Sequence, residues 1–347
     1  MTSLTANTTY ASYDRQIASW LIVCAGVIFG MIILGGVTRL TNSGLSMVEW
    51  RPLMGIIPPM SEAAWLEVFE KYKQYPEYQQ INRGMSLDGF KYIFMYEYLH
   101  RVLGRLIGVL FFVPMVYFSL KQRVKPGLMP KLWGLFILGG CQGLLGWYMV
   151  KSGLVDRPDV SQYRLTAHLG LAVLIYALMV WLILDLLYPS KAEKVHGLYR
   201  YGVVLAALVY LMILSGGLVA GTNAGFAYNT WPLMGDSFVP AGLYNFEPAW
   251  YAAFEDIATI QFNHRMFAYA LVLLIGVFSL QVLLRTDSGR AKLGAALFLA
   301  ALVLQVMLGI STLVMQVPVS LGAAHQGGAV VLLTAAIFAA HSLKSAR

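Results

Sequence analysis

Eight apolar runs of about twenty residues or more dominate this chain, near 17–38, 94–120, 131–151, 164–188, 200–221, 259–285, 291–315 and 320–342. A run of that length carries an α-helix across a bilayer, where lipid satisfies no backbone N–H or C=O and the segment must pair them internally. Composition agrees, with hydrophobic residues at 58% of the 347 positions and charged ones at 12%. A soluble domain carries about 25% charged residues. The sequence reads as an all-α integral membrane protein in a lipid bilayer.

The net charge of +8 is a topology signal and not a nucleic-acid footprint. Lys121, Arg123, Lys125 and Lys131 lie between the second and third runs, Lys191, Lys194 and Arg200 between the fourth and fifth, and Arg285, Arg290 and Lys292 between the sixth and seventh. Lys344 and Arg347 close the chain, and no Lys or Arg occurs from Tyr201 to Asn263. The positive-inside rule then places both termini in the cytoplasm. Residues 1–16, with Asp14 and Arg15, read as a cytoplasmic tail that is neither a signal nor a transit peptide. Cys24 and Cys141 fall inside apolar runs as small packing residues, and no CxxCH motif offers covalent haem attachment.

One unit is written twice. Gly35-Gly36-Val37-Thr38-Arg39-Leu40-Thr41-Asn42-Ser43-Gly44 and Trp50-Arg51-Pro52-Leu53-Met54-Gly55 follow the first run. Gly216-Gly217-Leu218-Val219-Ala220-Gly221-Thr222-Asn223-Ala224-Gly225 and Trp231-Pro232-Leu233-Met234-Gly235 follow the fifth. The offset is 181 through the Trp. Gln142 and Gly146 match Gln305 and Gly309 at an offset of 163. Both halves start on the same side, so the repeat is parallel. The expected fold is two pseudo-symmetric four-helix bundles, residues 17–188 and 200–347, joined by a basic linker at 189–199. In the longest outer loop, Ser61 is placed to cap a helix whose Trp65, Val68, Phe69 and Tyr72 share one face. That amphipathic helix is expected at the outer interface, either as a lid on the bundle or as a contact for substrate or partner.

Ionisable groups enter the membrane at Tyr96-Glu97-Tyr98-Leu99-His100-Arg101-Val102-Leu103-Gly104-Arg105, with an echo at Gln261-Phe262-Asn263-His264-Arg265. Such groups cost roughly 2.5–3.5 kcal/mol at the bilayer centre and point to function. His100, His168, His264 and His325 each fall within about two turns of the outer end of an even-numbered helix. His196 and His341 read as solvated bystanders. Two imidazoles facing each other across a bundle suit bis-His haem ligation. Zinc is the weaker reading, because no matching Cys or carboxylate completes a tetrahedral shell. Gly104, Gly108, Gly139, Gly140, Gly143 and Gly146 either admit a flat macrocycle or pack helices. Arg101 and Arg265 suit haem propionates, with snorkelling as the competing account.

The halves differ at one ionisable position. Glu97 stands three residues before His100, and its counterpart before His264 is Gln261. This asymmetry points to one catalytic pocket and one electron-transfer haem. The alternative is an exposed pair with Arg101 at i+4, worth about 0.3–0.5 kcal/mol. Two other classes stay open: a dihaem b-type electron-transfer protein, and a transporter of parallel repeats.

The paired histidines, Glu97-Tyr98-Leu99-His100-Arg101, Thr41-Asn42-Ser43-Gly44-Leu45-Ser46 and Thr222-Asn223-Ala224-Gly225, together with Trp50-Arg51-Pro52-Leu53-Met54-Gly55, resemble the haem A synthase family across all eight runs. The resemblance implies an oxidoreductase of the bacterial inner membrane that converts the C8 methyl of haem O to a formyl group by successive hydroxylations. It implies His264 and His325 as ligands of a resident haem b, His100 and His168 as ligands of the substrate haem, and Glu97 as a catalytic group. Haem O synthase is the implied supplier of substrate, the electron acceptor is unspecified, and self-association is left open. No cysteine lies between 39 and 93, so the chain looks like the branch without the loop cysteine pair, which includes alphaproteobacterial and mitochondrial members.

Overall fold

The computed structural model describes residues 2–49, 57–154, 160–189 and 196–344, with side chains from Ser12 onward. The Trp50–Gly55 motif, Lys191, Lys194 and Arg347 lie outside the described residues. Eleven α-helices run α1 Thr2–Leu40, α2 Glu62–Tyr72, α3 Pro76–Gln80, α4 Leu87–Leu120, α5 Met129–Gly153, α6 Gln162–Leu187, α7 Tyr199–Gly221, α8 Ala252–Glu255, α9 Ile257–Arg285, α10 Gly289–Val314 and α11 Val319–Ser342. Eight are long and apolar enough to cross a membrane: α1, α4, α5, α6, α7, α9, α10 and α11. The chain is a multi-pass membrane protein of the expected all-α class. The expected tail is helical from Thr2, as the first turns of α1.

The packing obeys the sequence repeat. α1 packs on α4 and α6, and α5 on α6; correspondingly, α7 packs on α9 and α11, and α10 on α11. The halves meet through α6 on α7, its counterpart α11 on α1, and α6 on α11. One correspondence is broken, since α9 and α10 pack closely while α4 and α5 touch little.

Helix association in lipid depends on close approach and polar contacts, because the tails are as apolar as leucine. A Cβ on Gly294 would lie 2.9 Å from the Cα of Ala339, so only glycine lets α10 sit that near α11. Tyr176 and Thr334 share a 2.9 Å hydroxyl contact between α6 and α11, and Gln326 Nε2 donates to Ile32 O across the halves. At the basic end, His341 Nε2 meets Asp185 Oδ1 at 3.1 Å, Lys344 Nζ bonds the same oxygen at 2.7 Å, and Arg290 Nη2 faces His341 Nδ1. His341 is therefore no solvated bystander: it is 1% exposed and links α11 to α6. His196 is half-buried, and its Nδ1 accepts from Leu198 N.

At the opposite end lie residues 41–49, 57–86 and 222–256. Ser61 caps α2 as expected, accepting from Ala64 N at 3.2 Å. The apolar face of α2 packs on the first turns of α4, with Phe69 stacked on Phe90 at 4.8 Å and Trp65 edge-on to Phe94. α2 thus covers α4 as a lid. Burial first, then the neighbouring Glu77 carboxylate, pushes the Tyr72 hydroxyl above its usual range, so it donates to Glu77 as a neutral phenol.

Candidate functional site

Each of the four membrane histidines rests against a glycine of an adjoining helix, and the pairs obey the repeat. Cβ atoms built on the glycines would fall 3.2 Å from His100 Nε2 at Gly35, 3.4 Å from His264 Cε1 at Gly216, and 2.8 Å from His168 Cε1 at Gly146 and from His325 Cε1 at Gly309. At Gly146 and Gly309 a side chain leaves no room for the ring, at Gly35 the fit would be tight, and at Gly216 the contact would be an ordinary one. His100 and His168 stand within electrostatic reach of each other, as do His264 and His325, so each pair shares one interior. The expected depth holds for three of them, since His168, His264 and His325 lie six or seven residues into their helices. His100 lies thirteen beyond Leu87, because α4 continues outward to meet α2.

The imidazoles are held unequally. Ser215 Oγ lies 2.9 Å from His264 Nδ1, and Gln305 Nε2 lies 3.1 Å from His325 Nδ1 and donates to His325 O. A hydrogen bond at Nδ1 fixes the ring, and one that accepts the Nδ1 proton, as the Ser215 hydroxyl can, leaves Nε2 for a metal. In the N-terminal half the counterpart of Ser215 is Leu34, which offers no hydrogen bond. Gln142 donates to His168 O at 3.0 Å, but its amide stands 3.5 Å from Nε2, and His168 Nδ1 is buried without a partner. The amide oxygens of Gln142 and Gln305 are likewise buried and unpartnered. Neither Ser215 nor its missing counterpart was found by sequence reasoning, although the offset of 181 pairs the two positions.

Glu97 does not address His100. Its carboxylate accepts from Ser46 Oγ at 2.8 Å, Met47 N at 2.7 Å and Arg101 Nη2 at 2.5 Å. The pair is buried, with side-chain exposures of 3% for Glu97 and 9% for Arg101, so the value of an exposed pair does not apply. Ser46 becomes Ala227 where Glu97 becomes Gln261, and Gln261 Nε2 donates to Tyr228 O, at the loop position matching Met47. Acid and hydroxyl donor change together.

Arg101 and Arg265 are loop clamps. Arg101 donates to Met47 O and Glu49 O, and Arg265 to Tyr228 O, Thr230 O and Leu233 O. Met47 and Glu49 match Tyr228 and Thr230 by the repeat. These guanidinium groups, for which propionate contact and snorkelling were both open, donate to loop carbonyls, Arg101 also to Glu97. Four of the six expected glycines, Gly108, Gly139, Gly140 and Gly143, have no atom within 4 Å of a built Cβ and so pack no helix. Gly104 meets only Met31, and Gly146 meets His168.

Among the described residues no three His, Cys, Asp or Glu side chains gather as a metal cage. Each imidazole pair suits a metal that brings its own equatorial ligands, as haem iron does. Fold and site together define a multi-pass membrane protein whose four membrane histidines each rest against a glycine of an adjoining helix. The COX15-CtaA model, described as cytochrome oxidase assembly protein, matches residues 18–337, and the chain belongs to that family. It is 52% identical to the heme A synthase of Nitrosospira multiformis, over 95% of this chain and 94% of that one. It is 51% identical to the heme A synthase of Paramagnetospirillum magneticum, again over 95% and 94%. Identity to the heme A synthase of Nitrosomonas eutropha is 48%, over 96% and 95%.

Proposed function

We propose that this chain is an oxidoreductase that converts haem O to haem A, with haem O held in the N-terminal half by His100 and His168 and a resident haem b in the C-terminal half by His264 and His325. Family membership and the named relatives support the reaction. One observation supports the division of labour: the Ser215 and Gln305 contacts that brace His264 and His325 at Nδ1 have no full equivalent at His100 and His168. A permanent cofactor gains from fixed ligands, whereas a substrate must come and go. Looseness between α4 and α5 points the same way. Gly104, Gly108, Gly139, Gly140 and Gly143 correspond to Ala268, Val272, Leu302, Val303 and Val306, so the N-terminal half lacks the side chains that close the C-terminal one.

A bound haem b would supply one-electron transfer. The protein's own task is placement and charge. Iron ligation needs a bare Nε2 and therefore a proton on Nδ1. Ser215 Oγ stands at His264 Nδ1, where it can accept that proton, whereas the atom of Gln305 at His325 Nδ1 is the amide nitrogen, a donor. The C8 methyl gives up two electrons in each of two hydroxylations, four in all, to an electron acceptor outside this chain, and the geminal diol then loses water to leave the formyl group. Glu97, three residues outward from His100 on α4, holds loop residues 46–47 and pairs with Arg101 at the mouth of the substrate half. The basic end faces the cytoplasm of a bacterial inner membrane by the positive-inside rule.

Glu97→Gln tests the assignment in a cell that makes haem O, by the ratio of haem A to haem O and alcohol intermediate. Retained resident haem with little haem A is the expected result. Wild-type haem A would remove Glu97 from the reaction.

A further inference from the structure

With Arg101 committed to loop carbonyls, something else must meet the charged edge of the substrate. Resting on the reading of the N-terminal half as the haem O site, we propose that Lys151 receives a propionate carboxylate of the substrate porphyrin, in a cavity that the C-terminal half lacks the residues to copy. That cavity, of about 230 Å³, lies between loop residues 47–48, Arg101 of α4, Trp147, Val150 and Lys151 of α5, and Leu154 just past its end. The three α5 residues follow at i, i+3 and i+4 and so form one helix face.

Lys151 is exposed, stands 4.9 Å over the Trp147 ring, and makes no ion pair with any carboxylate among the described residues. The position suits the ligand. Gly146 touches His168, and Lys151 lies five residues further toward the mouth, about 7.5 Å along the helix. A macrocycle ligated between His100 and His168 with its carboxylates toward the mouth brings them to that level. Trp147 offers an apolar wall beside the cation, and Arg101, paired with Glu97, lines the cavity opposite.

The repeat argues for substrate over structure. Lys151, Trp147 and Val150 correspond to Val314, Ile310 and Leu313. Two further cations of this half, Arg105 and Arg164, correspond to Tyr269 and Leu321, while the clamp arginine is kept in both halves as Arg101 and Arg265. Charge that only folded the loops would recur with them. The additional positive charge belongs to the half that must capture a dianionic ligand from outside, where it raises the rate and the specificity of encounter.

The test titrates purified full-length protein, carrying its resident haem, with haem O and with haem O dimethyl ester, read by absorbance. For wild type, the acid is expected to bind about tenfold tighter than the ester, as one charge-assisted contact at a half-exposed site provides. Lys151→Gln should abolish that preference while binding of the ester stays unchanged, and Lys151→Arg should restore it. Equal affinity of Lys151→Gln and wild type for haem O, or equal loss for acid and ester, would overturn the proposal. His100→Ala and His168→Ala separate the two levels. If they leave haem O binding intact, the placement of substrate in this half falls; if they abolish it while Lys151→Gln discriminates as wild type does, only the role of Lys151 falls.

Discussion

A single methyl group is the sharpest probe of each histidine. Gly309→Ala would set a Cβ 2.8 Å from His325 Cε1, closer than real contacts allow, and the ring must move. Resident haem should then fall while binding of added haem O persists, with the reverse for Gly146→Ala; difference spectra of the two variants check both. Ser215→Ala removes the hydroxyl beside His264 Nδ1 and should weaken the resident haem roughly 10–100-fold, the usual effect of losing a ligand-orienting contact. Haem retention under competition with apomyoglobin measures it. The four histidines and Glu97 were legible in the sequence because membrane ionisables are costly and these recur at fixed offsets. Ser215 was not, since a serine in an apolar helix carries no signal until the ring beside it is seen. Glu97 shows the reverse limit: its i+4 partner was legible, but its burial and its bonds to Ser46 and Met47 N depend on a loop fold that spacing does not encode.

Among the elements, the loops after α1 and α7 are fixed by side chains of α4 and α9. Asn42 and Asn223 both turn the chain with positive φ, 49° and 57°, a conformation that asparagine tolerates well. Arg101 and Arg265 then gather the carbonyls that follow. Arg265→Leu removes hydrogen bonds to three loop carbonyls, each worth about 0.5–1.5 kcal/mol. Hydrogen exchange at residues 228–235 should accelerate with little change in α9, and unchanged exchange would mean that the loop stands without its clamp. The sequence showed these arginines as charges near a membrane surface. Two expectations fitted that pattern equally, propionate contact and snorkelling, and the carbonyl clamp was not among them. It became visible only when the loop was seen folding back over the helix. α2 was legible as an amphipathic helix because its period and cap are local, whereas its partner, the outward extension of α4, was not. Phe90 and Phe94 precede or merely open the apolar run, and hydropathy alone assigns them no helix to cover.

For the whole molecule, the repeat decides the architecture and its breaches decide the chemistry. Pairing of α1 with α4 and α6 is reproduced by α7 with α9 and α11, as the offsets require. The loosened α4–α5 contact was not legible as such, although the five glycines whose counterparts are larger were present in the chain from the start. Orientation follows from the loop charges, so a reporter fused near Asn245 should be found outside the cytoplasm, and a cytoplasmic reporter would reverse the placement of both porphyrin sites. The central claim is that one half keeps a haem and the other passes one through. It is tested most directly by extracting the porphyrins from four purified variants, His100→Ala, His168→Ala, His264→Ala and His325→Ala, and identifying and counting them by mass. Haem b should remain near wild-type occupancy in the first two and be lost from the last two, with haem O or its oxidation products absent from the first two. Haem b lost from the His100 and His168 variants but kept by the His264 and His325 variants would contradict the account.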